Sequence, residues 1–193
     1  MLKKIAIVTP WFGEDQKGGA EQQAFQLATR FSGRGLKVDV LTTCGHSFLS
    51  NWSEDFYPSG QQELPSGLVV QRFPLDSRNE KLFDDVNAQL LGTKKLRAGV
   101  SPVGPFGEKV WLEDNINSTA LLDYLSTSID KYDAFIFLPY LYGLTLNGVK
   151  IVAEKAWLQP CLHDESYAYL ESVADAVSQC SGLLFLSEGE QHI

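Results

Sequence analysis

Short apolar runs that alternate with amphipathic segments constrain the fold of this chain more than any other feature. Runs rich in β-branched and apolar residues predict strands at residues 4–10, 37–43, 68–74, 134–139, 158–164 and 182–187. Apolar residues recur at helical spacing over residues 20–31, 116–129 and 170–177. Strands with so few charges are typical of a parallel sheet that is covered on both faces. We therefore predict an α/β fold with a doubly wound, mainly parallel, Rossmann-like sheet.

Length, charge and cysteine content limit what such a chain can do. With 193 residues it can build one core, and we expect a single domain over residues 1–193. A net charge of -8 argues against broad binding to nucleic acid, although helix N-termini and local loops can still bind an anionic metabolite. The three cysteines have no C-x-x-C spacing, so we expect no disulfide framework, which suits a reducing compartment.

The N-terminal apolar run does not have the features of a targeting segment. It stops at Thr9-Pro10, which is too short for the apolar core of a secretion signal. No stretch approaches the roughly 18 apolar residues of a membrane-spanning helix. We therefore expect a soluble, cytoplasmic protein.

Two segments fit neither pattern. Residues 45–67 carry Trp52, Phe56 and Tyr57 among polar residues, and residues 98–107 are rich in glycine and proline. We predict that both are long loops, which in compact domains are usually functional lids or disordered connections. The aromatic residues of the first favour an ordered surface that contacts a ligand or partner.

The end of the sequence carries a helix start signal. Ser187 and Glu190 have the S-x-x-E spacing of a capping box, yet only three residues follow. Short tails can carry such a pattern by chance, but a helix without a body cannot bury an apolar face. We therefore expect this chain to be the front part of a longer protein.

Ligands of open α/β sheets bind at the carboxyl ends of the strands, where three segments are predicted to meet. These are the loop at residues 11–19, the turn at residues 139–143 and the residues 163–165. Gly18 and Gly19 precede the first helix, so its free amides would face an anion. Alternatively, the glycines only end the loop and Glu21 satisfies the helix dipole. The spacing matches neither the usual dinucleotide fingerprint nor the NTPase phosphate loop.

His163 is the candidate catalytic residue of the third segment. A histidine at a strand end can donate a hydrogen bond to a substrate hydroxyl or titrate near neutral pH. Alternatively, Asp164 and Glu165 begin a helix, with His163 capping it or buried. Cys161 and His163 would share one strand face without further ligands nearby, so we predict no metal site. Cys161 itself is better interpreted as a small core residue than as a nucleophile.

These segments resemble the N-terminal domain of bacterial retaining family 4 glycosyltransferases of the GT-B fold. The resemblance lies in "IAIVTPWF", "KGGAEQQAFQLATRFSGRGLKVDVLTT", "FLPYLYGLT", "LQPCLHDESYAYL" and "GLLFLSEGE". It covers nearly the whole chain and is most specific at both ends, whereas residues 45–128 match only in outline.

The resemblance implies a role for particular residues. Gly18 and Gly19 would let backbone approach the sugar and diphosphate of a nucleotide-sugar donor, which is a co-substrate; no further cofactor is implied. His163 would face the donor sugar near the reacting carbon. Transfer would retain stereochemistry by a front-face path assisted by the leaving diphosphate, without a glycosidase-like carboxylate pair. The acceptor, a glycan or lipid-linked molecule, would be met by the 45–67 loop and by Trp11, Phe12 and Glu14.

The resemblance also implies a missing half. In these enzymes the paired glutamates and basic residues that face the diphosphate lie in a second, C-terminal domain. This domain alone would not turn over, because both walls of the cleft must be positioned together. Two alternatives stay open: a stand-alone α/β module that binds a ligand without chemistry, and a Rossmann-type enzyme such as a nucleotide-sugar epimerase.

A membrane surface is a further candidate partner, since related transferases often act on lipid-linked acceptors. One segment has the pattern of an amphipathic helix with a basic end that could lie on a bilayer. A core-facing helix with cations at its C-terminus explains the same residues, and we favour it. The residues concerned are Leu82, Phe83, Val86, Leu90, Leu91, Lys94, Lys95 and Arg97.

Overall fold

The predicted α/β architecture is confirmed by the computed structural model, which describes residues 2–192. In these residues a seven-stranded sheet has the order β3-β4-β2-β1-β5-β6-β7, with every neighbouring pair parallel except β3 and β4. The strands are β1 (Lys4–Thr9), β2 (Lys37–Thr43), β3 (Gly60–Glu63), β4 (Val69–Phe73), β5 (Ala134–Phe137), β6 (Ala156–Leu158) and β7 (Gly182–Leu183).

Helices cover both faces of the sheet. They are α1 (Gly19–Gly33), α2 (Glu80–Gly92), α3 (Gly104–Glu113), α4 (Thr119–Ser128), α5 (Gly143–Ile151), α6 (Glu171–Gln179) and the short α7 (Glu188–Gln191). Alternate residues of β1 divide the core: Ile5 and Ile7 pack with α1, whereas Ala6 and Val8 pack with the larger cluster formed by α2 to α6. The apolar strands are therefore buried on both faces, as a doubly wound sheet requires.

The strand predicted at residues 158–164 is wrong in its position. β6 covers Ala156–Leu158, and the chain leaves the sheet soon afterwards. Pro160 has no amide to donate to a ladder, and Cys161 adopts a left-handed conformation with φ of 55°. His163 consequently lies in a loop beyond the strand, not at its last residue.

Sequence periodicity also missed two helices and one strand. α3 begins inside the predicted 98–107 loop. Pro105 fits its first turn, because backbone amides there have no intrahelical acceptor and the missing amide hydrogen of proline costs no hydrogen bond. α5 shows no amphipathic stripe because most of its residues are buried, so no polar face marks it. β3 lies within the predicted 45–67 loop as an antiparallel edge strand.

The apolar residues of α2 face the core. Phe83, Val86 and Leu90 are buried, which confirms the core-facing interpretation of this helix, although Leu91 is exposed. The cationic residues lie beyond the last residue of α2, in the connection to α3. Between residues 2 and 192, no helix combines the length and apolar character needed to cross a bilayer.

Candidate functional site

The candidate site lies at the carboxyl edge of the sheet, where the chain changes direction. From β1 the sheet grows towards β2 on one side and towards β5 on the other, which creates a topological switch point. The loops after β1, β5 and β6 are joined there by backbone hydrogen bonds. The amide of Leu138 donates to the carbonyl of Val8 (3.1 Å), and the amide of Tyr140 donates to the carbonyl of Pro160 (3.0 Å). Trp11 packs against Tyr142, and the Tyr140 hydroxyl donates to Glu165, so the three predicted segments meet at one edge.

The glycine pair begins α1 at this edge. Gly18 is the N-cap with φ of -67° and ψ of 151°, and neither glycine has a positive φ. A Cβ on Gly18 would overlap the carboxylate of Glu21, whereas a Cβ on Gly19 would meet nothing within 4 Å. The backbone conformation therefore does not require glycine at residue 19, and the space above it is open.

Glu21 changes what the N-terminus of α1 can bind. Its carboxylate lies against Gly18, in the first turn of a helix whose N-cap has no side-chain hydrogen bond. A negative charge in this position stabilises the positive end of the helix dipole. The alternative in which Glu21 satisfies the dipole is thus supported at Gly18. A second anion would be repelled there, while an uncharged group would not.

His163 is exposed and its ring makes no hydrogen bond with residues 2–192, so the interpretation of it as a buried or capping histidine is wrong. The same alternative is supported for Glu165, which is the N-cap of a short 3-10 helix, Ser166–Tyr169. The loop that carries His163 is nevertheless held firmly. The Tyr140 hydroxyl donates to Glu165 (2.8 Å), and the Tyr169 hydroxyl donates to Asp164 (2.7 Å). The amide of Glu165 donates to the carbonyl of His163 (2.9 Å). The imidazole is therefore free to contact a ligand from a fixed loop.

Glu190 fixes the other side of this loop. Its buried carboxylate accepts hydrogen bonds from the amides of Leu162 (2.7 Å) and Leu186 (2.6 Å). Its own amide donates to the Ser187 hydroxyl (3.1 Å), which confirms the helix start signal. A groove of about 240 Å³ lies beside this clamp, lined by Cys161, Leu162, His163, Leu186, Ser187 and Glu190. The capping pattern in the sequence singles out Glu190 as a helix-start residue. It gives no sign of the hydrogen bond from the amide of Leu162, 28 residues away.

A second groove, of about 440 Å³, lies between the glycine loop and the 45–67 loop. The Gln16 side chain donates to the carbonyl of His46 (2.8 Å) and joins the two loops. Phe48 and Leu49 are exposed at this groove, with Leu49 92% exposed. The 45–67 loop therefore presents exposed apolar side chains at this groove, and its contact with a ligand or partner stays a prediction. The groove is lined by Asp15, Gln16, Lys17, Gly18, Glu21, His46, Ser47, Phe48 and Leu49.

Two residues implied for the acceptor side do not reach the surface. Trp11 is 1% exposed and packs edge-on against Tyr142 (5.0 Å between ring centroids), and Phe12 is fully buried against Phe25. Direct contact of either side chain with an acceptor is therefore corrected to a supporting role beneath the loop. Glu14 is exposed, and its carboxylate accepts the amide of Ser66 (2.8 Å).

Arg72 supports the glycine loop from below, and no local pattern had singled it out. Its guanidinium is 2% exposed and donates to the carbonyls of Phe12 (2.7 Å) and Thr43 (3.3 Å). It also stacks on the ring of Tyr57 at 4.0 Å. Burial lowers the pKa of Arg72. A buried cation that contacts a loop carbonyl beyond β1 and the last carbonyl of β2 fixes the end of β1 relative to β2.

Cys161 is not equipped to act as a nucleophile. Burial, Glu190 and Glu21 raise the pKa of its thiol to about 11, so the reactive thiolate is scarce near neutral pH. Across residues 2–192, no group of three or more His, Cys, Asp or Glu side chains is arranged to hold a metal ion.

No protein-family model matches the chain, and no curated protein matches it significantly. Function must therefore be inferred from the geometry of this edge of the sheet.

Proposed function

We propose that this chain is the N-terminal, acceptor-side domain of a retaining glycosyltransferase of the GT-B fold. The enzyme would transfer a sugar from a nucleotide-sugar donor to a glycan or lipid-linked acceptor. The observation that carries the proposal is the open space above Gly19, at the switch point of the sheet. A glycine that the fold does not require, placed where α/β sheets bind ligands, favours close approach of a substrate to bare backbone.

His163 supports the same assignment. An exposed imidazole without a protein partner can donate a hydrogen bond to a sugar hydroxyl or stabilise charge near the reacting carbon. The loop clamped by Tyr140 and Glu190 would keep that imidazole in place during transfer. We propose His163 as the catalytic residue of this domain, and Gly18 and Gly19 as the backbone that faces the donor.

The groove between the glycine loop and residues 45–67 is the proposed acceptor side. It combines the exposed aromatic ring of Phe48 with the polar side chains of Asp15, Lys17 and His46. Aromatic faces and hydrogen-bonding groups together suit a glycan. The enzyme would work in the cytoplasm, where free cysteines persist, and would reach a lipid-linked acceptor at the inner face of the membrane.

The catalytic centre would be completed by a second α/β domain that carries a glutamate pair and basic residues for the diphosphate. Catalysis by positioning requires both walls of the cleft, so this chain by itself would bind donor weakly and not turn over. The glycine-loop edge would contribute one wall.

The test is product analysis on the full-length gene product. Incubation with a panel of nucleotide-sugars and lipid or glycan acceptors should yield a glycosylated product with retained anomeric configuration, detected by mass spectrometry and NMR. His163→Ala should lower kcat at least tenfold, whereas Lys109→Ala, an exposed substitution on α3, should leave it unchanged. Binding without any transfer would favour a stand-alone binding module, and a changed sugar on the nucleotide would favour an epimerase.

A further inference from the structure

We propose that Tyr142 contacts the substrate, donating its hydroxyl to an uncharged, hydroxyl-bearing sugar at the carboxyl edge of the sheet. This inference rests on the function proposed above and deepens it. It names the part of the substrate that this wall of the cleft recognises: the neutral sugar and not the diphosphate.

Tyr142 is held rigidly at the switch point. It is the last residue before α5, so its backbone lies at the carboxyl edge next to the loop that follows β1. The side chain is 6% exposed, and its ring packs edge-on against Trp11 at 5.0 Å and Trp52 at 6.0 Å. These contacts fix the direction of the phenol group.

The hydroxyl of this buried ring lacks a hydrogen-bond partner in the part of the chain that the structure describes. It makes no hydrogen bond with residues 2–192, and its oxygen is not among the enclosed unpaired atoms, so solvent reaches it. The neighbouring Tyr140 behaves differently, because its hydroxyl donates to Glu165 at 2.8 Å. Buried tyrosines usually pair their hydroxyl groups. The Tyr142 hydroxyl is therefore available to donate a hydrogen bond to a ligand from solution.

The charges around Tyr142 select the kind of partner. Burial first, and then Glu21 and Glu165, raise the pKa of Tyr142, so it stays protonated and can donate. Two carboxylates lie at the same edge of the sheet: Glu21 lies against Gly18 at the start of α1, and Glu165 in the His163 loop accepts the hydroxyl of Tyr140 at 2.8 Å. No lysine or arginine lines the groove beside His163.

A diphosphate at this edge would be repelled by the negative charges of the two carboxylates. A sugar would instead donate its hydroxyls to those carboxylates and accept a hydrogen bond from Tyr142. Lys17, the nearest cation of the glycine loop, lines the other groove. The arrangement of charge thus favours the neutral part of a nucleotide-sugar.

The test compares neutral sugars with nucleotide diphosphates on this chain. Saturation-transfer NMR would use the methyl glycosides of glucose, galactose and mannose, N-acetylglucosamine, UDP and ADP. At least one neutral sugar should bind, and Tyr142→Phe should weaken that binding about fivefold to tenfold, as expected for one hydrogen bond to a substrate. The melting temperature of Tyr142→Phe should equal that of the wild type, because the hydroxyl has no protein partner to lose.

Tyr167→Phe is the matched control. The Tyr167 hydroxyl donates to Asn87 (2.7 Å) away from the glycine loop, so this variant should melt at a lower temperature and bind the sugar normally. The inference is overturned if Tyr142→Phe binds sugar like the wild type, if UDP or ADP binds at Tyr142 in place of the sugars, or if no neutral sugar binds. A melting temperature of Tyr142→Phe lowered as in Tyr167→Phe would also refute it, since the hydroxyl would then have a protein partner.

The same substitution in the full-length protein separates this inference from the proposed function. An active transferase whose donor KM is unchanged by Tyr142→Phe would leave the function intact and refute the role of Tyr142. A protein that binds sugar through Tyr142 but transfers none would support the role of Tyr142 and refute the proposed transferase function.

Discussion

The glycine pair at the start of α1 provides the sharpest test, because the structure predicts opposite effects for its two members. Gly18 is the N-cap, where alanine is poorer than glycine, and its new Cβ would displace the Glu21 carboxylate. We expect Gly18→Ala to lower the free energy of unfolding by about 1 kcal/mol. Gly19 is the first helical residue and its Cβ would meet nothing within 4 Å. Gly19→Ala should therefore raise the free energy of unfolding by about 0.5 kcal/mol, less than the full helix-interior gain.

Urea denaturation followed by tryptophan fluorescence can resolve this difference. For a domain of this size, about 1 kcal/mol corresponds to roughly 2–4 °C in melting temperature. Gly33→Ala is the matched control, since it lies at the other end of the same helix, where its Cβ would also meet nothing within 4 Å. Both Gly19→Ala and Gly33→Ala should be at least as stable as the wild type. Only Gly19→Ala should weaken sugar binding.

Two results would refute this reasoning. If Gly19→Ala unfolds at lower urea concentration than the wild type, the fold itself requires glycine at that residue. If Gly19→Ala is stable and binds sugar as well as the wild type, the open space above the backbone is not used by a ligand. In either case the observation that carries the proposed function would be lost.

Three further predictions follow from the packing around the site. Glu190→Gln keeps only one side-chain oxygen, so one of the two amides that donate to Glu190 loses its acceptor. We expect this substitution to destabilise the loop by about 2 kcal/mol and to speed hydrogen exchange at Leu162 or Leu186. Unchanged exchange at both amides would contradict the role of Glu190 in holding the loop. Gly143→Ala would place a Cβ 2.6 Å from a backbone carbonyl at the end of α3. It should therefore lower the free energy of unfolding, measured by urea titration, by about 1–3 kcal/mol. An unchanged free energy of unfolding would show that α5 can shift to make room. The rate of Cys161 alkylation by iodoacetamide should reach half of its maximum near pH 11, because the pKa of this thiol is raised to about 11. A midpoint near 9.0 would contradict that shift.

The site could be predicted only in part from the sequence. The glycine pair and His163 were found because short motifs after apolar runs mark the carboxyl edge of a sheet. His163 was placed at a strand end, yet Pro160 and the left-handed Cys161 end the strand earlier. The acceptor-side role of Trp11 was implied by the resemblance alone, and nothing in its neighbourhood along the chain reveals that Tyr142 packs against it.

Residues that act across the chain left almost no local signal. Arg72 contacts the carbonyl of Phe12, 60 residues away, and Glu190 contacts an amide 28 residues away. Tyr142 is one aromatic residue in an apolar run, and its significance depends on the absence of a hydrogen-bond partner in residues 2–192. Such properties depend on which side chains packing brings together.

Periodicity along the chain was sufficient to establish the α/β class, the parallel sheet and the edge at which its loops gather, because strands and helices repeat with their own spacing whatever their neighbours are. Which side chains are enclosed, which hydroxyl lacks a partner and which carboxylates face each other were decided by the tertiary structure. Burial and pairing depend on distances in space, and residues far apart in sequence determine them.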